Sequence, residues 1–213
     1  MSFNKIYKEV KNVFGSEPEE ILVKYFDMLN KSKPVLDIGC GQGRNSIFLA
    51  GKGYNVDAVD TSIVAVEELK KIAIAKELKI QTYRSGFQSF LPCTNYYSGI
   101  LVFGLIQILS ENDFAKLKQK LEAWTGRDSL IFITAFGTAD PSFEKYSTSW
   151  DAASKNNFTD DKGNYRRFLE PGEILSLFNE YEVIHHREGF GKEHHHGDGK
   201  LEKHYMVEVV LKK

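Results

Sequence analysis

The chain has 213 residues, enough for one domain with a substantial buried core and too few for two full-sized ones. Hydrophobic residues make up 42% and charged residues 27%, an ordinary globular balance that excludes a disordered or fibrous chain. Lys and Arg (28) almost cancel Asp and Glu (29), so no overall field favours nucleic acid or an acidic membrane.

Met1 leads into Ser-Phe-Asn-Lys, without a basic-then-apolar signal sequence. Ile6, Val10, Val13 and Phe14 recur at helical spacing, so the first 14 residues read as a short amphipathic helix broken by Gly15. Ser16 and Glu19 have the spacing of a capping box for a second helix, with Ile21, Leu22, Tyr25, Phe26 and Leu29 on its apolar face. Pro34 to Ile38 is a short strand, Gly39 to Gly43 a glycine-rich turn, and Arg44 to about Lys52 a helix with Gly53 past its end. Asn55 to Asp60 is a second strand, and Ser62 caps a helix to about Lys76.

The alternation continues through a strand at Ile80–Arg84, a buried strand at Gly99–Phe103, a helix at Glu111–Trp124 behind Ser110, and a strand at Ser129–Ala135. This order indicates a parallel α/β sheet covered on both faces. Gly137 to about Tyr165 is polar and reads as a functional or mobile loop. Pro171 opens a helix to about Asn179, a strand follows at Tyr181–Arg187, and Lys203–Leu211 is the last strand. The longest apolar run, about Gly99 to Leu109, is broken by Gly104 and Gln107 and is too short to span a bilayer. Cys40 and Cys93 fit no metal-ligand or redox pair, which makes a reducing compartment, the cytoplasm, the simple expectation.

Strand, glycine turn, helix, strand, acidic residue is the plan of a nucleotide site. The glycines let the backbone approach a ligand, the helix N-terminus offers N–H groups, and a carboxylate ending the second strand can accept both hydroxyls of a ribose. A dinucleotide fingerprint starting at Gly39 requires glycine at position 44, where Arg44 stands; glycine comes one residue early, at Gly43. The competing reading is a tight turn that needs glycine for backbone reasons only, with Asp60 as a helix cap.

The run Asp37-Ile38-Gly39-Cys40-Gly41-Gln42-Gly43, with Asp60 after it, resembles the signature of class I S-adenosylmethionine-dependent methyltransferases. Its continuation Arg44-Asn45-Ser46 before Ile-Phe-Leu-Ala is similar to the tellurite-resistance methyltransferase group, and the likeness extends more weakly to Lys213. The resemblance implies a Rossmann-like α/β fold: a seven-stranded, mostly parallel sheet with helices on both faces and an antiparallel last strand. It implies one domain, with N-terminal helices over 1–32, a cofactor-binding core over 33–136, a variable loop region over 137–168 and a C-terminal helix and hairpin over 169–213. It further implies S-adenosyl-L-methionine as cofactor. Gly39, Gly41 and Gly43 would line its methionyl part, Asp37 would orient the turn and Asp60 would hold the ribose, with Cys40, Asn45 and Thr61 among the contacts. Two departures stand out. Arg84-Ser85-Gly86-Phe87 lacks the acidic residue that family members often place near adenine, so main-chain groups at Gly86 and Phe87, with apolar contact from Phe103, are assigned there. The fourth strand opens on Ser98 rather than Asp.

All six histidines fall between His185 and His204. In one reading His194 and His195, with Arg187 and His204 nearby, bind an anionic acceptor or adjust its protonation and are the candidate catalytic residues. In the tellurite group a His-Arg pair stands near this position, and His replaces the Arg here. The competing readings are a solvated hairpin tip beside Gly197-Asp198-Gly199, or a zinc site, although no fixed ligand spacing is present. Arg166 and Arg167 either gate the pocket or solvate a loop, and Tyr7 either covers the cofactor or packs. The compact length favours a small-molecule methyl acceptor over nucleic acid, a monomer or homodimer, and no membrane partner. The alternative is an S-adenosylmethionine-binding sensor or partner subunit without transferase activity; a dehydrogenase is disfavoured by Arg44.

Overall fold

The computed structural model describes residues 3–92, 95–195 and 201–213. Helices α1 (Phe3–Glu9) and α2 (Glu20–Tyr25) lead through a 3-10 turn at Phe26–Met28 into an alternating core. The core runs β1 (Val35–Ile38), α3 (Arg44–Gly51), β2 (Val56–Asp60), α4 (Ile63–Ala75), β3 (Ile80–Arg84) and β4 (Tyr97–Phe103). A 3-10 turn at Ile106–Ile108, α5 (Glu111–Trp124) and β5 (Thr125–Phe136) follow. Beyond them lie α6 (Phe143–Ser149), β6 (Asp151–Ser154), β7 (Asn157–Thr159) and β8 (Tyr165–Arg167). The chain closes with α7 (Glu173–Leu177), β9 (Glu182–Phe190), β10 (His194–His195), β11 (Leu201–Glu202) and β12 (Tyr205–Lys212).

One seven-stranded sheet has the order β3-β2-β1-β4-β5-β12-β9. Strands β1 to β5 pair in parallel, and β12 runs antiparallel between β5 and β9. This is the expected sheet, including its reversed last strand. All four residues of β1 are buried, as a strand covered on both faces requires. Alternate side chains divide between the two faces. Leu36, Ile38, Ile100, Val102, Ile131 and Ile133 pack with α5 and α7, while Val35, Val56, Leu101, Phe132 and Val210 pack with α2 and α3. Each such side chain contributes about 1.5–3 kcal/mol by burial.

Four local expectations are corrected. Helix α1 stops at Glu9 because the chain turns at Asn12, which takes φ +52°. Ser16 does not cap α2: the cap position is Glu19, whose N–H donates instead to Asn45 Oδ1 at 2.9 Å. Ser62 and Ser110 do cap α4 and α5. Helix α7 is shorter than expected because Gly172 enters it at φ +73°, its N–H held by Glu188 Oε1 at 2.8 Å. The stretch expected as a loop, 137–168, holds α6 and a three-stranded antiparallel sheet, β6-β7-β8. Its polar composition hid a small aromatic core, in which Phe143 lies 5.2 Å from Phe168 and 5.7 Å from Phe158 between ring centres.

Candidate functional site

The site is built where β1 and β2 end side by side, at the C-terminal edge of the parallel strands. The N–H groups of Gly39 and Cys40 both donate to Val59 O, at 2.8 and 3.1 Å, which curls the chain back at once. Gly43 takes φ +84°, and a Cβ there would fall 2.4 Å from Leu69 Cδ1; a Cβ on Gly41 would fall 2.9 Å from the Tyr7 hydroxyl. Both positions favour glycine through their left-handed backbone, φ +53° at Gly41 and +84° at Gly43, with the side-chain contacts adding to the strain. Asp60 ends β2, where Oδ2 accepts the Gly41 N–H at 2.9 Å and Oδ1 the Ser62 N–H at 2.8 Å. Burial pushes its pKa up against these backbone bonds. A carboxylate accepts about four hydrogen bonds, so the backbone donors at Gly41, Ser62 and Thr61 do not exhaust it.

The residues around the third glycine tie the N-terminal segment to the turn. Gln42 accepts the Val13 N–H at 2.9 Å and donates to Val10 O at 3.2 Å and to Glu68 Oε2 at 2.9 Å. Arg44 donates to Glu17 O at 3.0 Å and pairs with Glu19, while Ser46 donates to Asp37 Oδ2 at 2.6 Å. Asp37 is fully buried, which pushes its carboxyl up to about 6 although the Ser46 bond pulls the other way.

A cavity of about 1990 Å³ opens from this turn and runs to the far end of the sheet. Thr61, Gly86, Phe87 and Phe103 line its first half; Gln107, Phe136, Arg166, Arg187, His204 and Met206 line its second. Ligand pockets usually measure about 300–1,000 Å³, so this one has room for two molecules together. In the second half, His204 Nδ1 lies 2.9 Å from Asp140 Oδ2 and Nε2 lies 3.2 Å from Glu202 Oε2. The His204 ring stacks on Phe136 at 4.5 Å and 21°. The Asp140 hydrogen bond raises its pKa, outweighing the effect of burial. For Asp140, burial acts upward, and the bonds from His204 and Ser142 bring the pKa below its ordinary value. Arg166 lies over the Tyr146 ring at 5.0 Å, and among the described residues its buried Nε has no hydrogen-bond partner; the same holds for Gln107 Oε1. Arg187 donates to Glu208 Oε1 at 3.2 Å and to Phe190 O at 2.7 Å.

A family profile described as tellurite resistance protein TehB matches residues 20–204. The chain belongs to the TehB family. Its fold is that of S-adenosylmethionine-dependent methyltransferases. The crystal structure of TehB from Haemophilus influenzae superposes with a TM-score of 0.70 at 19% identity, covering 92% of this chain and 62% of that one. The 1,6-didemethyltoxoflavin-N1-methyltransferase of Burkholderia thailandensis, solved with 1,6-didemethyltoxoflavin and S-adenosylhomocysteine bound, gives a TM-score of 0.63 at 16% identity over 91% of this chain and 75% of that one. A stretch of 46 residues, 22% of this chain, is 46% identical to hemagglutinin 1 of Eikenella corrodens and spans 15% of that protein.

Set in the TehB family, the expected residues take up different places. Asp37, the three glycines, Asp60, Thr61 and Gly86 gather around the first half of the cavity. Cys40 and Asn45 line it too, but Cys40 packs against Ala58 and Leu69 with its thiol pKa raised by burial, and Asn45 holds the start of α2. Phe87 and Phe103 belong to the clusters on opposite faces of the sheet, so they border the cavity from different sides. The backbones of His194 and His195 pair with β11; their side chains, and all of His196 to Gly199, lie outside the described residues. Arg166 and Arg167 part company: Arg166 lines the cavity, whereas Arg167 is buried over the Phe114 ring at 4.7 Å. Tyr7 both packs, against Val13 and Ala65, and borders the cavity. The sequence reading missed Asp140, Gln107 and Phe136. Asp140 had a signal, since Asp-Pro-Ser a few residues past the end of a core strand is an Asx-turn at the ligand-binding edge. Among the described residues no three His, Cys, Asp or Glu side chains converge as metal ligands, and no helix is long and apolar enough to cross a membrane.

Proposed function

We propose that this chain is an S-adenosylmethionine-dependent methyltransferase that methylates a small molecule by in-line transfer. The observation that carries the reading is the single cavity of about 1990 Å³, with the glycine turn and Asp60 at one end and His204, Arg166 and Arg187 at the other. Asp60 retains acceptor capacity for the ribose, Gly39 and Gly41 line the methionyl end, and Gly86 and Phe87 border the place for adenine.

The cofactor supplies a methyl group already activated on a sulfonium. The protein's task is to hold the acceptor in line with it and keep water out, and such positioning supplies much of the acceleration. Phe136, Met206 and Phe190 give the second half apolar walls, and Arg166 and Gln107 offer polar groups for orienting an acceptor. His194 and His195 are, in this reading, the candidates for binding the acceptor or adjusting its protonation. The enzyme acts as one domain, as a monomer or homodimer in the cytoplasm, without nucleic-acid or membrane partners.

Calorimetric titration with S-adenosylmethionine, S-adenosylhomocysteine and NAD tests the cofactor assignment. Both adenosyl ligands bind, and Asp60→Ala weakens both by about 10–100-fold, the worth of hydrogen bonds to a charged group; binding of NAD alone sinks the reading. Methyl release over a panel of small acceptors then separates an enzyme from a binder without transferase activity.

A further inference from the structure

Asp140 is an acceptor surrounded by donors. Its Oδ1 takes the Ser142 N–H at 2.9 Å and the Ser142 hydroxyl, and its Oδ2 takes the Tyr205 N–H at 2.9 Å beside His204 Nδ1 at 2.9 Å. The side chain of Asp140 is fully buried, and its lowered pKa keeps it ionised. An ionised carboxylate only accepts, so the proton of this last contact sits on His204 Nδ1. By the same rule the contact of Nε2 with Glu202 Oε2 at 3.2 Å carries the second proton of the charged ring, and that proton is the one lost as pH rises to give the base form. Among the described residues the charged groups facing this ring include Asp140 from the segment after β5 and Glu202 from β11. Arg166 from β8 and the Arg187–Glu208 pair from β9 and β12 line the same cavity.

We propose that His204 takes the proton from a protic methyl acceptor, a thiol, hydroxyl or amine, with Asp140 as its positioning residue. This rests on the methyltransferase reading above. As the acceptor's lone pair forms its bond to the methyl carbon, the carbon–sulfonium bond breaks and its electron pair returns to sulfur. The proton on the acceptor passes to His204 Nε2. The imidazolium so formed lies between two carboxylates, Asp140 and Glu202, and gives its proton to solvent after the methylated product leaves. A base of this kind has no use if the acceptor carries no proton, so the pair narrows the acceptor class. Because Asp140 raises the His204 pKa above its ordinary 6.5, the base form is gained as pH rises through that higher value.

The first test needs no turnover: nitrogen NMR of protein labelled with ¹⁵N-histidine, with and without S-adenosylhomocysteine. Neutral His204 is expected to be protonated at Nδ1, with a pKa that drops in Asp140→Asn. A proton on Nε2 in the neutral form overturns the proposal. The second follows S-adenosylhomocysteine release with 2-mercaptoethanol, catechol and aniline as protic probes, and pyridine and dimethyl sulfide as aprotic ones. A protic probe turns over faster as pH rises, Asp140→Asn moves that limb to lower pH, and His204→Gln lowers kcat about hundredfold with S-adenosylhomocysteine affinity unchanged. Turnover of the aprotic probes alone, a rate that falls as pH rises, or a parent-like kcat in His204→Gln overturns it. Failure of the parent protein to bind S-adenosylhomocysteine removes the methyltransferase reading instead, and the tautomer measured without ligand still decides the histidine's state.

Discussion

Ser46 and Asp37 meet across the glycine turn, the hydroxyl on the first turn of α3 donating 2.6 Å to a carboxylate in the middle of β1. Both residues are buried, so the bond fixes the helix start against the strand without help from solvent. Burial still dominates the carboxyl, whose pKa stands at about 6 against 3.8 unperturbed.

That shift sets a pH dependence. The folded pKa is raised, so ionised Asp37 opposes folding; the cost begins above 3.8 and is complete above about 6. Asp37→Asn keeps an acceptor for Ser46 and removes the charge. It is expected to raise stability at pH 7–8 by on the order of 1–3 kcal/mol, with the gain shrinking between about pH 6 and 4. Thermal melts across that range check it.

Gly43 carries both a left-handed φ of +84° and a Cβ position 2.4 Å from Leu69 Cδ1. Gly43→Ala is expected to cost about 2–4 kcal/mol, from backbone strain of about 1–3 kcal/mol with overpacking added. In a Leu69→Ala background the crowding is relieved, and the same substitution costs about 1 kcal/mol or more from the backbone alone. Equal costs in the two backgrounds would show that Leu69 moves aside freely. Urea unfolding of the four proteins closes the cycle.

Gln42 joins residues 10 and 13 to α4 through three hydrogen bonds. Gln42→Ala leaves the sheet intact and frees the segment ahead of α2. Amide hydrogen exchange over residues 3–14 should speed up about tenfold, the effect of roughly 1.4 kcal/mol, while β4 and β5 exchange as before.

The Asp140–His204 pair contributes stability inside a pH window. His204 has a raised pKa, so its share is full below 6.5 and fades as pH climbs through the folded value. Asp140 has a lowered pKa, so its share is present above 3.8 and fades as pH falls through the folded value. His204→Gln is expected to lower Tm most near pH 5–6 and least near pH 9, at about 2–4 °C per kcal/mol lost. A uniform loss across pH would point to packing on Phe136 alone.

The core strands were legible because a parallel sheet buries both faces: Gly99–Phe103 is an apolar run, and Val35–Ile38 is one apart from Asp37. The cofactor end was legible because its determinants lie close together in sequence, from Asp37 to Asp60. The acceptor end depends on distant residues. Asp140 and His204 are 64 positions apart and meet only through the pairing of β5 with β12. The polar stretch around β6 to β8 misled for a related reason, since four spaced aromatic residues, Phe143, Tyr146, Phe158 and Phe168, build its core without any periodic pattern. Arg44-Asn45-Ser46 marked the family correctly, yet these side chains brace the N-terminal segment and the first strand.

Because β12 enters the sheet in reverse, its first residues arrive at the same edge where β1 to β5 end. The sheet's two contributions to the cavity are consequently written on separate stretches of chain, Asp37 to Gln107 on one and Phe136 to Glu208 on the other, while residues between Phe3 and Lys24 line it as well. Strand β5 is the seam between the two stretches. The stretch from Phe136 is held by backbone ladders along β9 and β12, which tolerate new side chains at the hairpin tip. Chimaeras joined within β5 can therefore exchange the acceptor-facing part as a cassette, leaving the nucleotide-facing part as inherited.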